Sequence, residues 1–200
     1  MNHINIKNKT ILVIGATGKL GSTLVRKLIA EEANLVLVGR SINKINELFL
    51  INDAFIKKII MITKVNLNTK NDILTVIEEI KNKNIKIDGV INCAMHRPGQ
   101  SNLRNTDLKL MESLETNVYG SLILMGKILE LMQTTGGGSF IYIGSIYGKV
   151  APDFKLYEET EMGTEPDYVF IKHGMVGAIK YYASLYGKSN IRVNIITLGG

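Results

Sequence analysis

The sequence predicts an α/β protein: a doubly wound parallel sheet with helices on both faces, three layers in all. Two observations carry this. Short runs that are apolar throughout alternate with longer segments whose apolar residues recur at helical spacing. Strands with no polar side belong in a sheet covered on both faces, and strand–helix alternation makes that sheet parallel. A third observation adds detail. The first apolar run ends in a glycine-rich turn, Gly15, Gly18 and Gly21, which opens directly into a helix.

The elements follow in order. "TILVIGA" (10–16) is a buried strand bounded by glycine. In "KLGSTLVRKLIAEE", Leu20, Leu24, Val25 and Leu28 keep a helical period. "NLVLVGR" is the second strand, and "SINKINELFLIN" a helix with Ser41 as a good N-cap. "IIMITKVNL" is the third strand, before a helix capped by Thr69 or Asn71. "KIDGVINCA" is the fourth strand, and the segment from Thr106 to Gln133 one long helix. "GGSFIYIGS" is the fifth strand, "PDYVFIKHGMVGAIKYYASLYG" the next helix and "IRVNIIT" the sixth strand. The connection from Gly148 to Glu165 is long, and such loops inside compact α/β domains are usually functional or mobile. The chain stops just after strand six, and an uncovered last strand is a liability. The expectation is one domain over 1–200 that lacks its C-terminal part.

Composition narrows the function. Of the 200 residues 46% are hydrophobic and 21% charged, a soluble globular balance with room for a core. The net charge of +6 comes from scattered lysines and suits anionic ligands such as nucleotides. No basic tail or aromatic-interleaved basic patch points to nucleic acid. No apolar run has the length of a membrane span, and the N-terminus lacks the apolar stretch of a secretory signal. A cytoplasmic location is therefore expected. The single cysteine, Cys93, excludes an internal disulfide and reads as a packing residue. With the three histidines it shows no metal spacing.

The glycine turn carries the first functional signal. Glycines let backbone approach a pyrophosphate closely, and the helix N-terminus behind them meets its charge. Between the first strand and first helix of an α/β chain, the pattern indicates a bound nucleotide. The residues ending strand two bear on which one. A carboxylate there would bond a ribose 2′-hydroxyl. This chain has Gly39, Arg40 and Ser41, and Arg40 can pair with a 2′-phosphate. NADP(H) is favoured over NAD(H). Tyr168 and Lys172 lie four apart, so on a helix the phenol and the ammonium stack on one face. Alone, such a pair is commonplace.

Taken together, the motifs resemble the short-chain dehydrogenase/reductase family over the whole chain, in order. "GATGKLG" is similar to its glycine motif. "VINCAM" resembles the family's N-N-A-G stretch, with Asn92 and Ala94 matching and Cys93 and Met95 departing from it. Asn117, Ser145, and Tyr168 with Lys172 match the family's active-site Asn, Ser and Y-x-x-x-K. "IRVNIITLGG" resembles its I-R-V-N-x-x-x-P-G-G, with Leu198 in place of Pro. The resemblance implies a Rossmann-type sheet of strand order 3-2-1-4-5-6, here without its seventh strand. It implies a hydride transfer between nicotinamide and a carbonyl or alcohol, with Tyr168 as general acid/base. A free phenol titrates near ~10, and a neighbouring ammonium favours its phenolate. Lys172 would supply that charge and hold the nicotinamide ribose, Ser145 would polarise the substrate oxygen, and Asn117 would anchor a proton-carrying water chain. By the same resemblance, Gly15, Thr17, Gly18, Leu20, Gly21, Arg40, Ser41, Asn66, Leu67, Asn92, Ala94 and Thr197 join Tyr168 and Lys172 around the cofactor. Asn66 stands where the family usually has an Asp against adenine.

Two features are unlike the ordinary branch of the family. Its middle glycine stands one place later than Gly18 does here, and the gap from Ser145 to Tyr168, 168 − 145 = 23 positions, is longer. Both resemble the extended branch, which acts mostly on nucleotide sugars. Yet "IRVN" with its later Gly-Gly resembles the ordinary branch, so the chain looks like a hybrid, similar to reductases encoded with bacterial surface-polysaccharide and flagellin-glycan genes. The insert, "KVAPDFKLYEETEMGTEP", carries Tyr157, Glu158, Glu159 and Glu161, polar groups suited to a sugar-type substrate. The alternatives are a 3-oxoacyl thioester or small ketone, or a nucleotide-binding scaffold without turnover. The family's usual helix interfaces imply a homodimer or homotetramer. His96 and Arg97 follow strand four, where a cofactor would pass; Arg97 could touch a phosphate or the substrate there, but neither is placed in the site, and His173 reads as a surface or packing residue.

Overall fold

A computed structural model describes residues 5–50, 53–97, 107–160 and 163–199. Its six strands are β1 (Thr10–Ile14), β2 (Asn34–Gly39), β3 (Ile59–Lys64), β4 (Gly89–Asn92), β5 (Gly138–Ile143) and β6 (Ile191–Ile196). They form one sheet in the order β3-β2-β1-β4-β5-β6, and every pairing is parallel. The helices are α1 (Lys19–Ala30), α2 (Ile42–Phe49), the short α3 (Asp53–Ile56), α4 (Lys70–Asn82), α5 (Asp107–Leu114), α6 (Ser121–Thr134) and α7 (Pro166–Tyr186). Glu161, Gly200, Thr106 and the Ile51–Asn52 end of the second helical segment lie outside the described residues.

The uniformly apolar strands are explained by two cores, one per face of the sheet. Alternate residues go to opposite sides. Leu12, Ile14, Val36 and Val38 pack with α4, α6 and α7. Ile11, Val13, Leu35 and Leu37 pack with Ile45 and Phe49 of α2 and Val25 of α1. The strand order reverses between β1 and β4, where Ile14 lies beside Asn92. Chain leaves the two strands in opposite directions there, so a crevice opens at their C-terminal ends.

Strand ends and one helix differ from the sequence expectation. β1 stops at Ile14, because Gly15 turns away with φ +80°. β4 is only four residues long. Beyond it the Asn92 carboxamide accepts from the Ala94 N–H at 3.0 Å and bends the chain out of the sheet. Thr69 takes the N-cap position of α4, without a side-chain cap bond. The long helix expected from Thr106 to Gln133 is interrupted. Glu115–Gly120 is π-helical, joining α5 to α6. A Cβ on Gly120 would stand 1.8 Å from the Leu67 carbonyl oxygen, so only glycine allows this approach. Such wide turns cluster at functional sites, and this one carries Asn117.

Candidate active site at the crevice

The nucleotide side is built from backbone. A Cβ at Gly15 would meet the Ala94 backbone N at 2.8 Å, and one at Gly21 would meet the Gly15 carbonyl at 2.2 Å. These glycines draw β1, α1 and the β4 exit together. Gly18 is the N-cap of α1 and offers no side chain to its first N–H groups. Gly18 itself lines the crevice, which sets the start of α1 beside any anion bound there. A cleft of about 190 Å³ runs along the loop, lined among others by Thr17, Gly18, Arg40, Leu67 and Ala94. A second, polar cavity adjoins it, lined by Arg40, Lys64, Asn66, Asn68 and His96. An uncapped helix start, a glycine cradle and cationic walls fit a dinucleotide.

Not every residue expected at the cofactor lines these cavities. Ser41 accepts from the Lys44 N–H at 3.3 Å and caps α2. Asn92 shapes the β4 exit from a buried position. Gly21 acts by packing, Leu20 is exposed on the first turn of α1, and Thr197 is half-buried just past β6. Thr116, Met95 and Lys44 line the cleft without having been anticipated.

The other side of the crevice is built from buried side chains. Lys172 is 4% exposed and donates from Nζ to the Ile143 carbonyl at 2.8 Å. Its ammonium lies over the rings of Tyr142 and Tyr168, 5.0 and 5.6 Å from their centroids. Burial pushes Lys172 down to about 8, and the Arg97 guanidinium adds to this. Burial also pushes the Cys93 thiol up to about 11, so it stays protonated near neutrality. Ser145, buried at the end of β5, accepts from the Tyr147 N–H at 3.2 Å. The Tyr147 hydroxyl bonds that of Tyr157, which ties the insert to the turn after Ser145.

Asn117 lies against the chain leaving β4. Its Nδ2 donates to the His96 carbonyl and its Oδ1 accepts from the His96 N–H, both at 2.7 Å. Nδ2 also reaches Ser113 Oγ at 3.2 Å, and Ser113 donates to Asp167 at 2.5 Å. Asp167 directly precedes Tyr168, so a side-chain path from Asn117 ends at the residue next to the Tyr. The His96 ring sits between Arg40 Nη1 (3.2 Å from Nδ1) and Glu112 Oε1 (2.7 Å from Nε2). An arginine can only donate, so Nδ1 accepts and Nε2 carries the proton. Arg97 pairs with Glu165 at 2.6 Å, and its guanidinium is 4.8 Å from the centre of the Tyr168 ring. Sequence reasoning missed Ser113, Glu165 and Asp167, and placed neither His96 nor Arg97 in the site. Arg97 and His96 were noticeable only by their place after strand four.

A glycine cradle at the switch point of a parallel sheet, with a buried Ser and Lys and a half-buried Tyr beside it, defines a dinucleotide-dependent oxidoreductase. The comparisons with known proteins agree. The family model described as short chain dehydrogenase matches residues 9–200, and the chain belongs to that family. It is therefore an NAD(P)-dependent dehydrogenase/reductase acting on CH–OH groups. It is 26% identical to post-translational flagellin modification protein A of Campylobacter coli, over 98% of this chain and 78% of that one. It is 25% identical to 7alpha-hydroxysteroid dehydrogenase of Bacteroides fragilis, over 96% of this chain and 71% of that one. Among solved structures, a short chain dehydrogenase of Leptospira borgpetersenii with bound NAD+ has a TM-score of 0.79 at 22% identity, covering 98% and 72%. L-Sorbose reductase of Gluconobacter frateurii, complexed with NADPH and L-sorbose, has a TM-score of 0.77 at 22% identity, covering 97% and 70%. These two show the shared fold. Among the described residues, no helix is long and apolar enough to cross a membrane, and no cluster could hold a metal.

Proposed function

We propose that the chain interconverts a carbonyl and an alcohol on a sugar-type substrate, using NADP(H) in preference to NAD(H). The observation that carries the chemistry is the Lys172 ammonium beside the Tyr168 ring, fixed by the Ile143 carbonyl. Bound nicotinamide supplies or accepts the hydride at the substrate carbon. Tyr168 gives its phenolic proton to the substrate oxygen in reduction and takes it back in oxidation. The positive charge of Lys172 favours the phenolate that this exchange passes through. Ser145 donates a hydrogen bond to the substrate oxygen and orients the carbonyl. Asn117, held on the His96 backbone, ends a hydrogen-bonded path through Ser113 to Asp167. Gly15, Thr17, Gly18, Leu67 and Ala94 would hold the dinucleotide, with Asn66 at the adenine and Lys172 at the nicotinamide ribose.

Arg40, with Lys44 and Lys64 beside it, supports the NADP(H) preference, since three cations border the two cavities. The sugar reading draws support from likeness to the flagellin modification protein. A second reading has its own observation. The insert exposes Phe154 (52%) and Leu156 (72%), apolar groups that suit a steroid or acyl ketone. The exposed Phe170, Tyr181 and Leu185 of α7 support assembly as a homodimer or homotetramer. We place the protein in the cytoplasm, as one domain over 1–200. Nicotinamide fluorescence titrations with NADPH and NADH, on wild type and Tyr168→Phe, test the cofactor assignment. A panel of keto-sugars set against hydroxysteroids and 3-oxoacyl thioesters tests the substrate. Turnover confined to the second group would remove the sugar reading.

A further inference from the structure

We propose that Arg97 is a positioning residue for the reaction: clamped by Glu165 over the Tyr168 ring, it fixes the phenol and neutralises the carboxylate beside it. The inference rests on the acid/base reading of Tyr168.

The geometry is specific. Arg97 stands on the chain leaving β4, while Glu165 is the N-cap residue of α7, three places before Tyr168. The Glu165 carbonyl accepts from the Tyr168 N–H at 3.1 Å, while its carboxylate reaches Arg97 at 2.6 Å. Glu165 is therefore tied to Tyr168 through the backbone and to Arg97 through the side chain. The Glu165 side chain is only 14% exposed, so the ion pair is partly withdrawn from water. An arginine suits this place, because its flat guanidinium can stack on a ring and keep an edge for a carboxylate. Lysine cannot do both.

Arg97 also answers an electrostatic problem. Glu165 alone would put a carboxylate less than a turn of helix from the group that must pass through a phenolate. Arg97 cancels that charge. Its field reaches Lys172, where it works against the ammonium. The charged and titratable groups around the pair are Tyr142 from β5, Cys93 and Arg97 from the β4 exit, and Glu165 and Asp167 from α7, with Ser113 of α5 on Asp167.

The test compares Arg97→Met, Arg97→Lys and Glu165→Gln with wild type and Tyr168→Phe. Two quantities are read: kcat and KM on whichever panel substrate is turned over, and the titration of Lys172 by NMR on protein carrying 13Cε-lysine. Lys172→Met identifies the signal. Arg97→Met is expected to lower kcat about tenfold with little change in cofactor KM, and to raise the Lys172 midpoint above its value of about 8. Arg97→Lys restores the charge, so the midpoint returns while kcat recovers only in part. Glu165→Gln frees the guanidinium and lowers kcat although every cation is still present. Should Arg97→Met fail to fold, the Lys and Gln variants decide by the same readings. Wild-type kcat and an unmoved Lys172 midpoint in Arg97→Met overturn the proposal. Full turnover by Tyr168→Phe instead overturns the acid/base reading on which it rests.

Discussion

The two sides of the crevice are built in opposite ways, and they meet at one residue. On the nucleotide side, the contacts available to a ligand are bare backbone and exposed side chains. Arg40 and Glu112 reach the His96 ring there, and both are open to water. On the chemical side, buried groups are held by backbone carbonyls and by one another: Lys172 on Ile143, Asn117 on His96, Ser113 on Asp167. His96 belongs to both, since its main chain is clasped by Asn117 and its ring by Arg40. A site that must release its cofactor every cycle is served by weak, hydrated contacts on the binding side. A site that must hold reacting groups within a fraction of an ångström is served by buried ones. The contrast predicts that equal insults will have unequal effects on the two sides.

The largest effect is expected from Tyr168→Phe. It removes one oxygen and leaves the ring for Arg97 and Lys172. Turnover should fall by about 10³-fold, within the range for losing a general acid/base. Cofactor affinity and Tm should stay near wild type. A parallel loss of cofactor binding, by fluorescence titration, would erase the distinction between the two sides.

Gly120→Ala comes next and strikes the chemical side through its frame. The new Cβ would stand 1.8 Å from the Leu67 carbonyl, a backbone atom that cannot swing away. Overpacking of this kind costs about 3 kcal/mol, and the π-helical turn carrying Asn117 should be the part that gives way. Thermal unfolding should show a lowered Tm. Gly174→Ala, on α7 where an added Cβ meets nothing within 4 Å, is the control expected to leave Tm unchanged or slightly raised.

The burial of Lys172 gives the contrast a pH signature. In the folded chain this ammonium loses its proton near pH 8, against 10.5 for the ordinary side chain. Between those values the unfolded chain binds more protons, so this group makes stability rise with pH and contributes no slope below the window. The gain across the window is no more than about 3 kcal/mol. Urea unfolding of wild type and Lys172→Met at several pH values isolates it, since other groups cancel in the difference. Activity should move the opposite way and fall above pH 8, as the ammonium beside Tyr168 discharges.

How far the sequence revealed all this depends on the kind of contact. The sheet was legible because strands buried on both faces are apolar on both sides, as in residues 11–14 of β1 and 35–38 of β2. The places of Ser145, Tyr168 and Lys172 in the fold, as distinct from their roles, were legible because each sits on a strand end or helix face. The π-helical turn was not, since "ETNVYG" continues a helical pattern without a break, and the turn goes with a long-range approach of Gly120 to Leu67. Arg97 with Glu165, and His96 with Arg40 and Glu112, were illegible for the same reason. Their partners lie 68, 56 and 16 positions away, and no local pattern marks them. Ser41 was assigned to the cofactor by resemblance, yet its helix-capping bond was equally readable from the local sequence and is what the structure contains.

The smallest effect is expected on the nucleotide side, from Arg40→Ala. Arg40 is exposed, and its partner here is a neutral imidazole nitrogen, so removing it leaves no buried charge unpaired. Tm should not change. A hydrogen bond to a charged group is worth about 1.5–3 kcal/mol, less where water screens it, so NADPH should bind about tenfold more weakly. NADH has no 2′-phosphate for the guanidinium to meet, and its affinity should be unaltered. The two titrations read together decide the matter. Equal weakening of both cofactors would mean that Arg40 acts through the His96 ring on the shape of the cleft, and so on the Asn117 clasp behind it. The two sides would then be coupled through His96, and the division between a yielding binding wall and a rigid chemical wall would have to be redrawn around that residue.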